Sequence, residues 1–536
     1  MKNQSTVNST AASAAVPVNN QALLALSFIE GCSVMVAELA GGKMLAPYYG
    51  TSLYVWASTL AITLGGLTLG YYLGGEWSKK DLAARRKKLF RTIAVASALV
   101  VIMPVWANFI MERTLDMNFL TGLVMSQLMF LFPPILGMGI VSPLLISLLG
   151  ENNNSGKAAG LVYAVSTLGG VIATLLTGFF LVPVLGIAIP CVVIGSLLFL
   201  LNIFILRPGK KIVAAGLLLL LLPSLYFVKT SREEVDGKYK ILYHTEGMMG
   251  QVKVMDFTYT VANKQYESRT MLVNNNWQTW VDRGNFDFSF LYYTRFTKAV
   301  ISTMPAGSRA LLIGLGGGTV AKQLEHNNVD YDVVEIDGRL PMLAEKYFGL
   351  KHAVENTVID DGRHYINVCK KKYDLIIIDA LLGDKVPSHL LSVESFTKLK
   401  TLLNPDGKVF VEFDGIPDGS EGIAQKALAN TVKKAGYYYR TYTILPGTFK
   451  YDIMYVLTLN NNTSYDSAQT VADSYFPIAQ SLKKFEMPLN SDVETVITDD
   501  NPSLDYFLRE RKLAFREAEM NEHLQDFTDE GVPMFR

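Results

Sequence analysis

Hydrophobic and polar positions divide the chain into two halves. From residue 21 to 228 apolar residues run in long stretches broken only by short polar loops, whereas beyond Lys229 they recur in short runs that alternate with polar and turn-forming residues. A bilayer core of roughly 30 Å takes about 20 residues of apolar helix. Seven stretches qualify by composition: 21–44, 52–74, 89–111, 119–150, 158–184, 186–206 and 212–228. The expectation is a multi-pass α-helical membrane bundle over 21–228, preceded by a polar, small-residue tail at 1–20 that reads as disordered. The tail has no basic region directly before a short apolar core with a cleavage site, so a removable signal peptide is not expected.

Orientation follows from charge. The stretch "GEWSKKDLAARRKK" reads as a loop carrying Lys79, Lys80, Arg85, Arg86, Lys87 and Lys88, and the positive-inside rule places it in the cytoplasm. Five single crossings after it would leave the charged half outside. Two stretches can restore the parity: 119–150 is too long for one span and is interrupted by Pro133 and Pro134, and 212–228 is short enough to lie at the interface. An even number of crossings is therefore expected, with the bundle in the cell inner membrane and the second half on the cytoplasmic side. Glu30 and Glu38 lie within the first span, where ionisable groups are costly and face partners. Glu30 is expected to pair inside the bundle and Glu38 to snorkel near Lys43. "LGGLTLGYYLGG" and "STLGGVIATLLTG" read as close helix packing.

The second half changes period. "KTSREEVDGKYK" at 229–240 is a charged linker, and the alternation from Lys240 to Asp282 predicts a small antiparallel sheet, giving a linker and β-rich subdomain over 229–300. Next, "ALLIG", "LGGGT" and "VAKQLEHN" predict a strand, a glycine turn and a helix, opening an α/β Rossmann-like domain over 301–460. A C-terminal extension over 461–536 includes "VITDDNPSLDYFLRERKLAFREAEM", read as a charge-rich final helix for packing or homo-oligomer contact.

Candidate chemistry gathers at the ends of the strands. Gly314, Gly316 and Gly318 let a ligand approach the backbone at a helix start. Glu335 ends the strand "YDVVEID" about 20 residues on, where a carboxylate can accept both ribose hydroxyls. "NTVIDDGRHYI" ends in Asp360, Asp361 and Gly362, and "KKYDLIIIDALLGDKVP" in Asp379. In an open α/β sheet the crevice beyond the carboxyl strand ends binds ligands. Any one of these acids alone reads as a cap or turn former; four strands delivering glycine, Glu335, Asp361 and Asp379 to one place are harder to explain that way. Thr319 stands where a dinucleotide fingerprint has its last glycine, which makes the glycine turn alone a weak signal, and a dinucleotide-dependent oxidoreductase ranks last because the β-rich lead-in and the Asp361–Gly362 step do not suit it. The 49 basic and 49 acidic residues balance, which gives no indication of a nucleic-acid partner. Cys32, Cys191 and Cys369 and the six dispersed histidines lack the spacing of a metal site, and no metal is expected.

These stretches resemble a known family. "AELAGGKMLAPYYGTSLYVWASTLAITLGGLTLGYYLGG", "GIVSPLLISLL" and "GLVYAVSTLGGVIATLLTGFFLVPVLGI" resemble the bacterial fused family in which a transporter-like helical bundle precedes a spermidine-synthase-like domain. "GLGGGT", "VEID", "DDGRHYI" and "IIIDALLGDKVPSHLLSVESF" are similar, in order, to the polyamine-synthase branch of the S-adenosylmethionine-type methyltransferase fold across roughly residues 245–420. The resemblance implies that "LNPDGKVFVEF" is a fifth strand and that "YYYRTYTILPGTFKYDIMYVLTL" is the antiparallel pair closing the sheet. It further implies that Gln278 contacts the nucleoside, Glu335 holds its ribose, Asp361 and Gly362 its adenine edge, and that Asp379 is the general base.

The implied reaction moves an aminopropyl group from decarboxylated S-adenosylmethionine to a small-molecule amine such as putrescine, with no metal. Methyl transfer from S-adenosylmethionine, and a transporter or sensor that binds a nucleoside or polyamine without turnover, stand as alternatives. The sequence departs from the family where amino groups are recognised. Gly317 replaces an aspartate of the glycine loop, Phe290, Leu291 and Tyr292 replace a Tyr-His-Glu stretch, and Leu382 replaces a second acid, with Asp384 two positions later. Asp384 and Tyr292 are the candidate substrate residues; Tyr292, Tyr293, Trp277 and Trp280 fit either an aromatic pocket for a cation or a core.

Overall fold

A computed structural model describes residues 19–150, 154–206, 238–261, 264–381, 386–415, 422–443, 452–461, 465, 468–470, 480–489, 494–508 and 521–535. The tail at 1–18, the apolar stretch at 212–228, all but the last residues of the linker, and Asp384 lie outside them. The chain forms two compact units, one of Met1–Met44, Ala57–Ile110 and Val124–Thr230, the other of Leu45–Trp56, Met111–Leu123 and Ser231–Arg536.

The apolar half is built of α1 (Asn20–Tyr49), α2 (Leu53–Ser78), α3 (Leu82–Thr114), α4 (Phe119–Phe130), α5 (Phe132–Leu149), α6 (Ser155–Leu176), a π-turn, α7 (Val182–Leu185) and α8 (Ala188–Leu206). Among the described residues, six segments are long and apolar enough to cross a membrane: Asn20–Tyr49, Leu53–Ser78, Leu82–Thr114, Phe132–Leu149, Ser155–Leu185 and Ala188–Ile205. The long stretch 119–150 breaks at Leu131. Pro133 falls in the first turn of α5, where its missing N–H costs nothing.

The basic stretch departs from the expected loop. Only residues 79–81 connect α2 to α3, and Arg85, Arg86, Lys87 and Lys88 lie in the first turns of α3, since Ala, Leu, Lys and Arg are strong helix formers. In the first unit Glu30 is buried and accepts a hydrogen bond from Ser166 Oγ at 3.0 Å, so its described partner is a hydroxyl rather than a cation. The glycine stretches are sites of close helix approach. A Cβ on Gly169 would stand 2.2 Å from Phe28 O, and one on Gly70 2.6 Å from Leu136 O.

In the second unit β1 (Tyr239–Thr245), β2 (Val252–Val261), β3 (Lys264–Val273), β4 (Asn276–Asp282) and β5 (Asn285–Ser289) form an antiparallel meander in sequence order, as the alternation predicts. A seven-stranded sheet follows: β6 (Arg309–Ile313), β7 (Asp330–Glu335), β8 (Thr357–Ile359), β9 (Tyr373–Ile378), β10 (Leu403–Asp414), β11 (Tyr438–Tyr442) and β12 (Asp452–Thr458), in the order β11-β12-β10-β9-β6-β7-β8. Strands β8, β7, β6, β9 and β10 are parallel, and β12 runs antiparallel to both β10 and β11.

The parallel strands read as unbroken apolar runs because both faces are covered. Leu311, Ile313, Ile376, Ile378, Val409 and Val411 pack into one core, and Ala310, Leu312, Leu375, Ile377 and Phe410 into the other. The helices of this half are α9 (Tyr293–Ile301), α10 (Thr319–His326), α11 (Leu340–Phe348), α12 (Ala353–Asn356), α13 (Gly362–Val368), α14 (Val393–Lys400), α15 (Ile423–Lys434), α16 (Leu504–Phe507) and α17 (Asn521–Asp529).

The expected charged helix over 496–520 falls largely outside the described residues. Its described start is irregular, with Val393 N–H donating to Ile497 O at 2.9 Å, then a Thr498–Asn501 bridge and the short α16. The last helix, α17, instead packs on the β1 edge: Asp526 accepts from Lys238 Nζ at 2.7 Å and from the Tyr239 hydroxyl, and the rings of Phe527 and Tyr239 meet edge-on at 5.1 Å.

Candidate active site at the carboxyl strand ends

Parallel pairing brings the carboxyl ends of β6, β7, β8, β9 and β10 to one side of the sheet, and there they border a cavity of about 860 Å³. Gly314, Gly316, Glu335, Asp361, Gly362 and Asp379 all line it. Gly318 stands one position behind, as the left-handed residue before α10 (φ +81°). The glycine turn is dictated by its neighbour strand: Gly314 has φ +93°, and a Cβ there would stand 1.9 Å from Asp379 O.

Glu335 is buried beneath this turn. Its Oε2 accepts the Leu315 N–H at 2.9 Å and its Oε1 the Asp337 N–H at 2.8 Å. Burial pushes its carboxyl above the ordinary range, and the backbone donors pull against that. Each oxygen keeps a further lone pair for a hydroxyl partner. Asp337 is engaged elsewhere, holding Arg339 at 2.6 Å.

Asp361 caps α13. Its Oδ1 accepts from Arg363 N and His364 N at 2.9 and 3.0 Å, while Oδ2 lies 3.2 Å from His389 Nε2. Burial opposes its charge, but the His364 N–H and the His389 ring outweigh it and hold the carboxyl below its usual value. Gly362 follows because a Cβ there would meet Ile313 Cγ2 at 2.6 Å.

Asp379 begins the loop after β9, its N–H still paired to Ile313 O at 2.9 Å. Burial pushes its carboxyl up to about 6, and a hydrogen bond from the Tyr293 hydroxyl at 2.9 Å tempers the shift. Tyr293 opens α9, and burial, together with Asp379, keeps its phenol well above the ordinary value.

Gln278 is the extra residue of a β-bulge. Trp277 pairs Leu272 and Thr279 pairs Met271, so Gln278 is left between them, and such bulges re-aim side chains near sites. Its amide reaches Trp277 O at 3.3 Å and borders the cavity. Tyr292 borders it too, with the Arg295 guanidinium 5.2 Å from its ring centroid. Trp277 and Trp280 stack at 5.0 Å, and His523 of α17 meets Trp277 edge-on at 5.6 Å.

Three further features of the site lay outside the sequence reading: the Tyr293–Asp379 bond, Thr279 and Glu412. Thr279 Oγ1 accepts the Gly317 N–H at 2.7 Å, tying the meander to the glycine turn. Glu412 is buried near the end of β10 and lines the cavity. It lies within the apolar run "VFVEFD", whose strand-terminal acid is Asp414.

Residues 289–469 match the spermine/spermidine synthase domain. The match lies wholly within the second half of the chain. The chain is 32% identical over 176 residues to a probable polyamine aminopropyl transferase of Bifidobacterium longum, of whose length it spans 38%. It is 23% identical over 431 residues to polyamine aminopropyltransferase 2 of Aquifex aeolicus, a likeness that covers 77% of this chain and 82% of that one and so reaches into the apolar half. Among solved structures, spermidine synthase of Thermotoga maritima aligns at 17% identity and a TM-score of 0.33, covering 51% of this chain and 87% of the other.

Proposed function

We propose that the chain is a membrane-anchored aminopropyltransferase that moves the aminopropyl group of decarboxylated S-adenosylmethionine to an amine acceptor. The observation that carries this reading is the convergence of Glu335, Asp361 and Asp379 with the glycine turn on one cavity inside a synthase domain. Glu335 would accept the ribose hydroxyls with its remaining lone pairs, Gln278 and the Asp361–Gly362 step would border the nucleoside, and Tyr292 with the stacked tryptophans would face the amine end. The six apolar helices support membrane anchoring, and the basic residues 79–88 between the second and third of them support a cytoplasmic synthase domain at the inner membrane.

The chemistry balances with the residues present. The acceptor nitrogen attacks the methylene carbon next to the sulfonium, the C–S bond breaks with its electrons going to sulfur, and methylthioadenosine leaves. The nitrogen's proton passes to Asp379. The sulfonium is already activated, so alignment and proton removal are what the site must add. The experiment is incubation of purified full-length protein with each donor and an amine, followed by identification of the nucleoside. Methylthioadenosine supports the proposal, S-adenosylhomocysteine means methyl transfer on the same fold, and no product from either donor, with nucleoside or amine bound, means a binding role without turnover.

A further inference from the structure

The cavity has a wall that the seven-stranded sheet does not supply. Residues Leu45–Trp56, which are the end of α1, the connector and the first turn of α2, belong to the second unit, and Ser52, Leu53 and Trp56 line the cavity. The meander holds this connector. Asn275, left-handed at φ 63°, donates its Nδ2 to Pro47 O at 3.1 Å and accepts from the buried Lys253 Nζ at 2.9 Å. The Tyr49 hydroxyl lies 2.6 Å from Thr114 Oγ1, and Asn521 of α17 donates to Leu115 O at 2.8 Å, so the connector is tied from a second side as well.

Two kinds of group line the cavity on this side. Ser52 Oγ, Asn276 Nδ2 and Trp280 Nε1 are buried polar atoms of cavity-lining residues that make no hydrogen bond among the described residues, and Asn276 is only 6% exposed. A buried donor without a partner is costly unless a ligand supplies one. All three atoms can donate and none is charged, which suits the oxygens of an ester or phosphodiester rather than an ammonium. Leu53 and Trp56 are apolar, and Leu53 is 77% exposed. Both stand in the first turn of α2, which is long and apolar enough to cross a membrane. A tryptophan at the head of such a helix belongs at the level of the lipid head groups. Phe290 and Leu291, where the family has polar groups for a free amine, line the same cavity.

We infer that the acceptor is an amine-bearing membrane lipid: its nitrogen faces Asp379, its phosphodiester and ester oxygens take the donors of Ser52, Asn276 and Trp280, and its chains leave past Leu53 and Trp56 into the bilayer. The inference deepens the aminopropyl-transfer reading and rests on it for the reacting nitrogen, but the lipid site is testable by binding alone. In the step the lipid nitrogen bonds to the methylene carbon beside the sulfonium, and the C–S bond breaks with its electrons going to sulfur. Methylthioadenosine leaves, the nitrogen's proton passes to Asp379, and the lipid gains one ammonium group.

The probes are dihexanoylphosphatidylethanolamine and its head group, glycerophosphoethanolamine, titrated calorimetrically into the full-length protein in phosphatidylcholine nanodiscs with methylthioadenosine present. The wild-type protein should bind the lipid at least about tenfold more tightly than the head group, since each buried methylene is worth about fourfold. Ser52→Ala should weaken both probes by about three- to tenfold through its lost hydrogen bond, Trp56→Ala should weaken the lipid alone, and both should keep methylthioadenosine affinity. Equal binding of the two probes by the wild type, or lipid affinity unchanged in both variants, overturns the inference. Should one variant lose methylthioadenosine binding as well, the wild-type preference and the other variant decide. Incubation with decarboxylated S-adenosylmethionine then separates the two readings. An aminopropylated lipid supports both. The expected binding pattern without product leaves the lipid site standing and removes the transferase; methylthioadenosine formed with 1,4-diaminobutane, by a protein that neither binds nor modifies the lipid, does the reverse.

Discussion

Tyr293 donates its hydroxyl to Asp379 Oδ2 at 2.9 Å, joining the first residue of α9 to the carboxyl end of β9. The bond moderates the proton affinity that burial gives the acid. Burial alone disfavours the carboxylate, and a donor aimed at its charged form restores part of that loss. The result, about 6, leaves Asp379 ionised at neutral pH yet basic enough to take a proton from a reacting ammonium.

The acid side of the rate profile should follow from this. Asp379 must be ionised to accept a proton, so kcat/KM for transfer should fall as pH drops through about 6. Tyr293→Phe removes a bond that favours the charged form, so its acidic limb should move to higher pH, by about one unit, which corresponds to ~1.4 kcal/mol. The acceptor's own titration is common to both proteins and cancels in the comparison. A limb that stays in place or moves down would show that Tyr293 does not tune Asp379.

Binding and turnover should separate between two carboxylates. Asp379→Asn preserves shape but not proton affinity, so turnover should fall by at least about 100-fold. Methylthioadenosine binding, measured by calorimetry, should stay within about threefold of wild type. Glu335→Ala strands the buried N–H groups of Leu315 and Asp337 and removes the acceptor for ribose. Its cost of ~1–3 kcal/mol should appear as nucleoside binding weaker by roughly 5- to 150-fold. An equal loss of binding in both variants would refute the division.

Much of this arrangement was legible in the chain. Strand β9 declares itself as "LIII" because both faces are covered, and the acids read as strand-terminal are where the parallel ladder ends. Glu412 escaped notice because it lies inside an apolar strand, two residues before that strand's end, rather than after it. Tyr293 was indistinguishable from Tyr292, since only the start of α9 decides which ring turns toward the sheet. Asp361 illustrates the competition between readings: its Oδ1 caps α13, so local backbone chemistry uses half the carboxylate that the family resemblance assigns to adenine. The basic residues 85–88 were read as loop from their charge, whereas their helix propensity extends α3.

The glycine at 317 is explained by its neighbour. A Cβ at Gly317 would stand 2.7 Å from Thr279 Cγ2 and 3.1 Å from Phe348 Cγ, and Thr279 is β-branched and fixed by its bonds to Gly317 N–H and Gln278 O. Restoring an aspartate with Gly317→Asp should therefore lower stability by about 1–3 kcal/mol, the usual cost of overpacking, and weaken methylthioadenosine binding. Thr279→Ala alone should cost about 1 kcal/mol through its lost hydrogen bond. The two together should cost less than their sum, by at least about 0.5 kcal/mol, because the alanine removes the atom the new side chain strikes. Denaturation midpoints of the four proteins measure this coupling. Strict additivity would mean that Thr279 is not what excludes a side chain from the turn, and that the departure from the family lies in the ligand rather than in the packing of the loop.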